Sequence, residues 1–464
     1  MKKSPIFFVA FRTNLVTSQK VVYAGDKSMK TNGSFLRIRV IQKTIQERND
    51  HMDTLTDFRL DGEQTLDLNA IARNLLESLL NEVMSEQATE LCSECGTLRN
   101  GYRERKLATC IGTITLKIPK LREGSYFPDD IVTRWSRTDT ALASTICEMW
   151  VNGISNRKVE AVVEKLGIEK MSRSKVSRLC KALDEQISEM HTCSLSDKAW
   201  PYLWLDATYV KCREAGAARS TAVVVAVAAD ERAKRRVVGL RCIDSESYIS
   251  WRDFLLDLRK RGMSGVQLVI SDDHAGLVRA VREVMIGAGW QRCIAHLERN
   301  VIDRVKRRGT GAAAVAALKA AFAETKPALV RAGYNKACNL LREHDEAGAN
   351  LLEDAREDAL AYLAFPQEHR HWIRTNNICE RINAELKRRT RVVQVFPSNE
   401  SLIRLIGAVC CEQNDTWEVE RYFIDAKTMT SLCPEEHKEE PDSTELARVI
   451  QLVEEAFERK LKVA

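Results

Sequence analysis

The chain has 464 residues, long enough for two to four domains that each bury a core. It is 44% hydrophobic and 29% charged, and no apolar stretch nears the ~18 residues of a membrane span, which argues against a membrane protein. The formal net charge of +6 is too modest for a global attraction to nucleic acid, so such contacts must come from local clusters such as KRR (306–308) and KRRTR (387–391).

The fourteen cysteines follow no repeating framework, as expected of reduced thiols in a cytoplasm rather than disulfides. The opening MKKSPIFFVAFR has the lysines of a signal peptide, but its apolar run Ile6–Phe11 is short and no clean cleavage site follows. Residues 1–51 match no element and are expected to be a non-native or disordered extension, with initiation at Met52 (MDTLTDFR).

Residues 69–90 place apolar side chains at helical spacing and predict one amphipathic helix. CSEC (92–95) follows, then the basic RNGYRERK (99–106) and the alternating strand IGTITLKIP (111–119). A CxxC pair needs two more ligands to hold zinc, and only Cys110 is near, so structural thiols are expected. Residues 138–191 read as several helices. Within 155–186 a helix, a turn at Gly167 and a second helix opening at Ser172 have helix-turn-helix spacing. Arg173, Lys175 and Arg178 on the second helix could then reach DNA, the plainer alternative being a helical hairpin with solvated charges.

From Trp204 the texture changes. LWLDATYV (203–210), TAVVVAVAA (221–229) and RRVVGLRC (235–242) predict three strands, followed by a helix over 247–262 and the strand VQLVIS (266–271). A helix over about 275–287 leads to a short strand, WQRCIAH (290–296). This order predicts an α/β fold with a ribonuclease H-like arrangement. Residues 297–370 carry helix formers and almost no strand signal, an all-helical insertion. Another helix covers 371–391, and the chain closes with an acidic linker and a short helix.

The expected organisation is therefore an extension (1–51), an N-terminal helix with a small strand region (52–135), and a helix-turn-helix-like DNA-binding region (136–195). The first part of the core (200–296), the insertion (297–370), the last part of the core (371–425) and the linker with its helix (426–464) follow.

Asp206 sits inside an apolar strand, where a carboxylate is costly unless something positive meets it. Asp272 ends a second buried strand, directly before Asp273, and open α/β sheets do chemistry at the carboxyl ends of strands. Two neighbouring carboxylates repel, and a divalent cation relieves that repulsion. A third acid would complete a two-metal site for phosphoryl transfer. Glu380 and Glu385, on one helix, are both candidates, and helical spacing does not decide between them.

The runs WPYLWLDATYVK, VQLVISDDHAGL, WQRCIAHLERN and TNNICERINAELKRRTRVVQVFP resemble signature blocks of the Mutator-like transposases of bacterial insertion sequences. RNGYRERK, IGTITLKIPKLREGSYFP (111–128) and SRSKVSRLCKALDE (172–185) resemble that family's N-terminal blocks. The likeness covers about residues 55–425. It implies a DDE triad on a ribonuclease H-like core, and position by position the triad is Asp206, Asp272 and Glu380, the last chosen because Arg381 matches the arginine after the family's acid.

Cys293 and His296 match a Cys-x-x-His signature and are expected to be structural, since two ligands do not hold zinc. Asp273 and Cys379 depart from the family's usual small and aliphatic residues.

The resemblance implies a bacterial, nucleoid-associated enzyme that binds terminal inverted repeats, cuts DNA and joins strands. The triad would hold two Mg²⁺ (or Mn²⁺) ions, with Lys387, Arg388 and Arg389 on phosphates beside the scissile bond and a homodimer or larger assembly holding two ends. The alternatives are a domesticated, non-catalytic DNA-binding repressor and a nuclease of the same fold without strand transfer.

Overall fold

The computed structural model describes residues 67–132, 136–168, 171–214, 216–420, 422–430, 432 and 441–463. The 1–51 extension, the proposed start at Met52 and most of the acidic linker lie outside the described residues.

Helix α1 (Leu68–Cys95) is capped by the Asp67 carboxylate and ends at Gly96, so the CxxC forms its last turn. It packs on a two-stranded antiparallel ribbon, β1 (Arg99–Thr109) and β2 (Gly112–Leu121). Met84 of α1 meets Leu107, Ile114, Leu116 and Ile118 in a small core of their own. The basic run 99–106 is thus a strand, although it lacks apolar alternation. Arg103 and Arg105 instead lay their guanidiniums over the Phe127 ring, at 5.7 and 5.6 Å.

Next come α2 (Thr140–Val151), α3 (Asn156–Lys165) and α4 (Arg173–Leu179). Ser155 caps α3, Gly167 turns the chain at φ +73°, and Ser172 caps α4. The second helix expected from Ser172 is not continuous. After seven residues it tightens into a 3₁₀ turn (Cys180–Ala182) before α5 (Leu183–Thr192). The break seats Cys180 beside Cys147 and lets Asp184 pair with Arg404 at 2.6 and 2.8 Å.

The main sheet has five strands: β3 (Tyr202–Glu214), β4 (Ala217–Ala229), β5 (Arg235–Ile243), β6 (Leu268–Ser271) and β7 (Gly289–Arg292). Their spatial order is β5-β4-β3-β6-β7, with β3, β4 and β5 antiparallel and β6 and β7 parallel to β3. Helices α6 (Tyr248–Lys260) and α7 (Ala275–Val284) cover one face, burying Leu203 and Leu205 with Trp251, Phe254 and Leu277. Gly276 allows that packing, since a Cβ there would lie 2.8 Å from the Tyr248 nitrogen. Alternation sends Tyr202 and Trp204, and with them Asp206, to the opposite face.

Strand β7 is shorter than expected. Cys293 donates its backbone N–H to Ser271 O at 2.7 Å, and the chain turns at once into α8 (Ile294–Arg304). Helices α9 (Thr310–Phe322), α10 (Pro327–Arg342) and α11 (Glu346–Ala359) complete an insertion of helices alone. Its exit returns beside its entry. Gln291 bonds Ala359 O and Tyr362 N, and the Asn376 backbone donates to Cys293 Sγ at 3.2 Å. Helices α12 (Gln367–Ile373), α13 (Asn377–Thr390) and α14 (Asn399–Val419) then cover the second face. The last helix, α15 (Ser443–Val463), packs on α9 and α10. No described helix is long and apolar enough to cross a membrane.

Candidate active site

Strand register brings the two aspartates together. Tyr202, Leu203 and Trp204 pair with Leu268, Val269 and Ile270, and the same register continued sets Asp206 beside Asp272. β6 ends at Ser271 while β3 runs on, so the acids face each other where the sheet opens.

Asp206 is buried, at 8% exposure. Burial, then the charge of Asp272, push its carboxyl up to about 7, against hydrogen bonds from the Ala207 backbone and Asn383. Burial also raises Asp272, against the pull of His296 and His274. Asp273 is distinct. It points away to Arg292 at 2.6 Å, and Arg292 also approaches Asp358.

Glu380 lies in the first turn of α13, close enough for its charge to be felt at Asp206. Its Oε1 accepts from Arg299 at 2.8 Å and lies 3.9 Å from His296 Nε2. Glu385 is elsewhere, bound to Arg388 (2.6 and 2.8 Å) and Arg389 (2.7 Å), whose hydrogen bonds lower its carboxyl to about 2.

Two further side chains, not singled out in the sequence, hold the surroundings of Asp206. Asn383 Nδ2 donates to Asp206 Oδ2 at 2.6 Å, and Asn376 Nδ2 donates to Leu205 O at 2.9 Å. Both follow from helical spacing, since Asn376 and Asn383 flank Glu380 at i−4 and i+3. Attention to acids alone hid them.

Among the described residues no three His, Cys, Asp or Glu side chains stand close enough to form a ready metal site. The surroundings nevertheless suit a hard cation. Two carboxylates face one another, and Asn376 Oδ1, Asn383 Oδ1 and His296 Nδ1 are buried without partners.

Cys293 is a buried thiol, raised to about 11 by burial, that accepts the Asn376 N–H and so ties the end of β7 to the start of α13.

Of the basic candidates, Lys387 and Arg388 are exposed, whereas Arg389 is turned inward. It bonds Glu385, Glu412 and Val151 O, which makes it a clasp between helices rather than a free phosphate ligand. Arg178 is exposed, and Lys175 is partly buried, its ammonium lowered first by burial and then by Arg137 and Arg178. The side chain of Arg173 lies outside the described residues.

The chain belongs to the Mutator family of transposases, whose model matches residues 44–420. That match opens earlier than the signature blocks, inside the segment expected to lie beyond the family. The chain is 36% identical over 368 residues to the transposase for insertion sequence element IS1081 of Mycobacterium tuberculosis, covering 78% of this chain and 88% of the relative. It is 34% identical over 374 residues to that of ISRM5 from Rhizobium meliloti (77% and 89%). It is 33% identical over 358 residues to that of IS256 in transposon Tn4001 of Staphylococcus aureus (75% and 91%).

Proposed function

We propose that this chain is the transposase of an insertion sequence, binding its terminal inverted repeats, cleaving DNA and transferring strands. The observation that carries the chemistry is the juxtaposition of Asp206 and Asp272, a buried and a half-buried carboxylate both raised by burial, Asp206 also by the charge of Asp272. The strand order supports reading the sheet as a ribonuclease H-like core, with acids on β3, after β6 and on a later helix.

Asp206, Asp272 and Glu380 would hold two Mg²⁺ or Mn²⁺ ions. Such ions, when bound, activate a water or a 3′-hydroxyl and stabilise the leaving oxygen of an in-line displacement at phosphorus. Asp206 gives up its proton to act as a ligand, and Asn383 fixes the direction of its carboxylate. Glu380, held by Arg299, would be the third ligand, while Cys293 keeps α13 in register with β7. Lys387 and Arg388 approach the phosphates beside the reacting bond. Arg173, Lys175 and Arg178, on the helix after the Gly167 turn, read or grip the end sequence. Two ends handled together require a homodimer or a larger assembly.

The test is cleavage of DNA carrying the element's ends by the full-length protein. Cleavage should require Mg²⁺ or Mn²⁺, and Asp206→Ala, Asp272→Ala or Glu380→Ala should each abolish it while end binding persists. Specific binding without cleavage by the unaltered protein would favour the repressor. Cleavage without joining would favour the nuclease.

A further inference from the structure

On the flank of α13 away from Asp206 lies a second cavity, of about 260 Å³, lined by Arg235, Trp372, Asn377, Arg381, Gln413 and Trp417. We propose that it is a subsite for one unpaired nucleotide of bound nucleic acid, its base against Trp372 and its phosphate between Arg235 and Arg381. The proposal uses the transposase reading only for the source of that nucleotide.

Charge comes first. The Arg235 guanidinium is only 12% exposed, sandwiched over Trp417 at 5.0 Å and Phe423 at 4.9 Å, and paired with Glu420 at 2.9 Å. Arg381 faces the same space and has no ion pair among the described residues. Its positive charge bears on Arg235. Glu420 pairs with Arg235 alone, so among the described residues Arg381 is left without a counter-charge, which a phosphate supplies with two planar forks to receive it.

Shape and chemistry narrow the ligand further. Trp372 is partly exposed and, with Ile378 and Ile382, gives the cavity apolar walls. The side-chain amides of Asn377 and Gln413 have no intramolecular hydrogen-bond partner among the described residues, and each offers a donor and an acceptor to a base edge. A simple anion would leave the aromatic wall and both amides unused. A paired base cannot enter a recess of about 260 Å³, whereas an unpaired one can stack there.

Position agrees with this. Arg381 follows Glu380, and an α-helix is about 10–12 Å across, so a strand crossing the first turn of α13 meets the acids on one flank and the cavity on the other within a few nucleotides.

The experiment is photo-crosslinking with 5-iododeoxyuridine, which couples to stacked aromatic side chains on irradiation. The full-length protein is irradiated with two probes: a single-stranded oligothymidylate carrying the analogue, and duplex element ends carrying it at successive positions around the cleavage junction. We expect the crosslinked peptide to contain Trp372 in both arms, at one narrow set of positions in the duplex. Arg381→Gln should lower the yield at subsaturating DNA about tenfold, the effect of losing a charged hydrogen bond. Because Arg381 is exposed and has no ion pair among the described residues, the thermal unfolding midpoint of the variant should stay unchanged. A Trp372 crosslink to the oligothymidylate, with no specific binding of ends, would uphold the subsite while the transposase reading fails. No crosslink at Trp372 in either arm, or a yield indifferent to Arg381→Gln, overturns the subsite.

Discussion

Arg299 donates to Glu380 across 2.8 Å, joining the second turn of α8 to the first turn of α13 and tying up one oxygen of the glutamate. The guanidinium is more than half exposed, so the pair contributes at most ~1 kcal/mol to folding. Its weight is local: it decides where the Glu380 carboxylate rests.

Arg299→Ala should therefore leave the unfolding midpoint nearly unchanged and tighten Mn²⁺ binding to the DNA-free protein by roughly threefold to tenfold, a difference of about 1 kcal/mol. Titration of Mn²⁺ followed by electron paramagnetic resonance measures this. Weaker binding in the variant would mean that Arg299 orients Glu380 toward the cation rather than away from it.

Asp206→Asn should stabilise the cation-free protein. A carboxyl raised from 3.8 to about 7 in the folded state keeps its proton while the unfolded chain loses it. Stability then falls as pH rises from near 4 to 7, and the loss is complete above that window. Removing the charge should restore on the order of 2–4 kcal/mol at pH 8 and almost nothing at pH 4. Urea unfolding at the two pH values tests the sign. Added Mn²⁺ should stabilise the unaltered protein and leave the variant untouched.

Glu385→Ala and Glu380→Ala should separate stability from chemistry. Glu385 holds Arg388 and the buried Arg389, so its loss should cost about 1–2 kcal/mol and leave cleavage intact. Its lowered carboxyl adds stability that is present above the ordinary value of 4.5 and lost as pH falls toward 2. Glu380→Ala should do the opposite, with folding unaltered and cleavage gone. Full activity in the Glu380 variant would remove that residue from the triad.

Lys387 and Arg389, two residues apart, should respond oppositely. Arg389→Ala leaves Glu385, Glu412 and Val151 O without their common donor and should destabilise by about 3 kcal/mol. Lys387→Ala should fold normally and reduce the slope of log affinity against log salt by about 1. Parallel denaturation and salt-titrated DNA binding distinguish the two roles.

Much of this arrangement was legible from residues. The apolar residues of LWLDATYV put Asp206 inside a strand, and the apolar run before Asp272 marked a strand end. The register that joins them was not, because pairing across β3 and β6 is a long-range matter. RNGYRERK hid a strand because arginine stems over Phe127 do the work of apolar side chains. The end of β7 was misplaced because apolar Ile294, Leu297 and Val301 already keep helical spacing, which the preceding Trp290 disguised. Glu380 and Glu385 could not be ranked on a helical wheel, since what separates them is their partners: Arg299 for one, Arg388 and Arg389 for the other.

Asp206 and Asn383 are 177 residues apart, yet share one hydrogen bond. At ribosomal rates of about 5–20 residues per second, Asp206 is made roughly ten to thirty seconds before the helix that completes its surroundings. Throughout that interval its neighbours Asn383 and Glu380 do not exist, and neither does the α13 wall of the second cavity. The surroundings of Asp206 are therefore complete only once the chain has been made through Asn383.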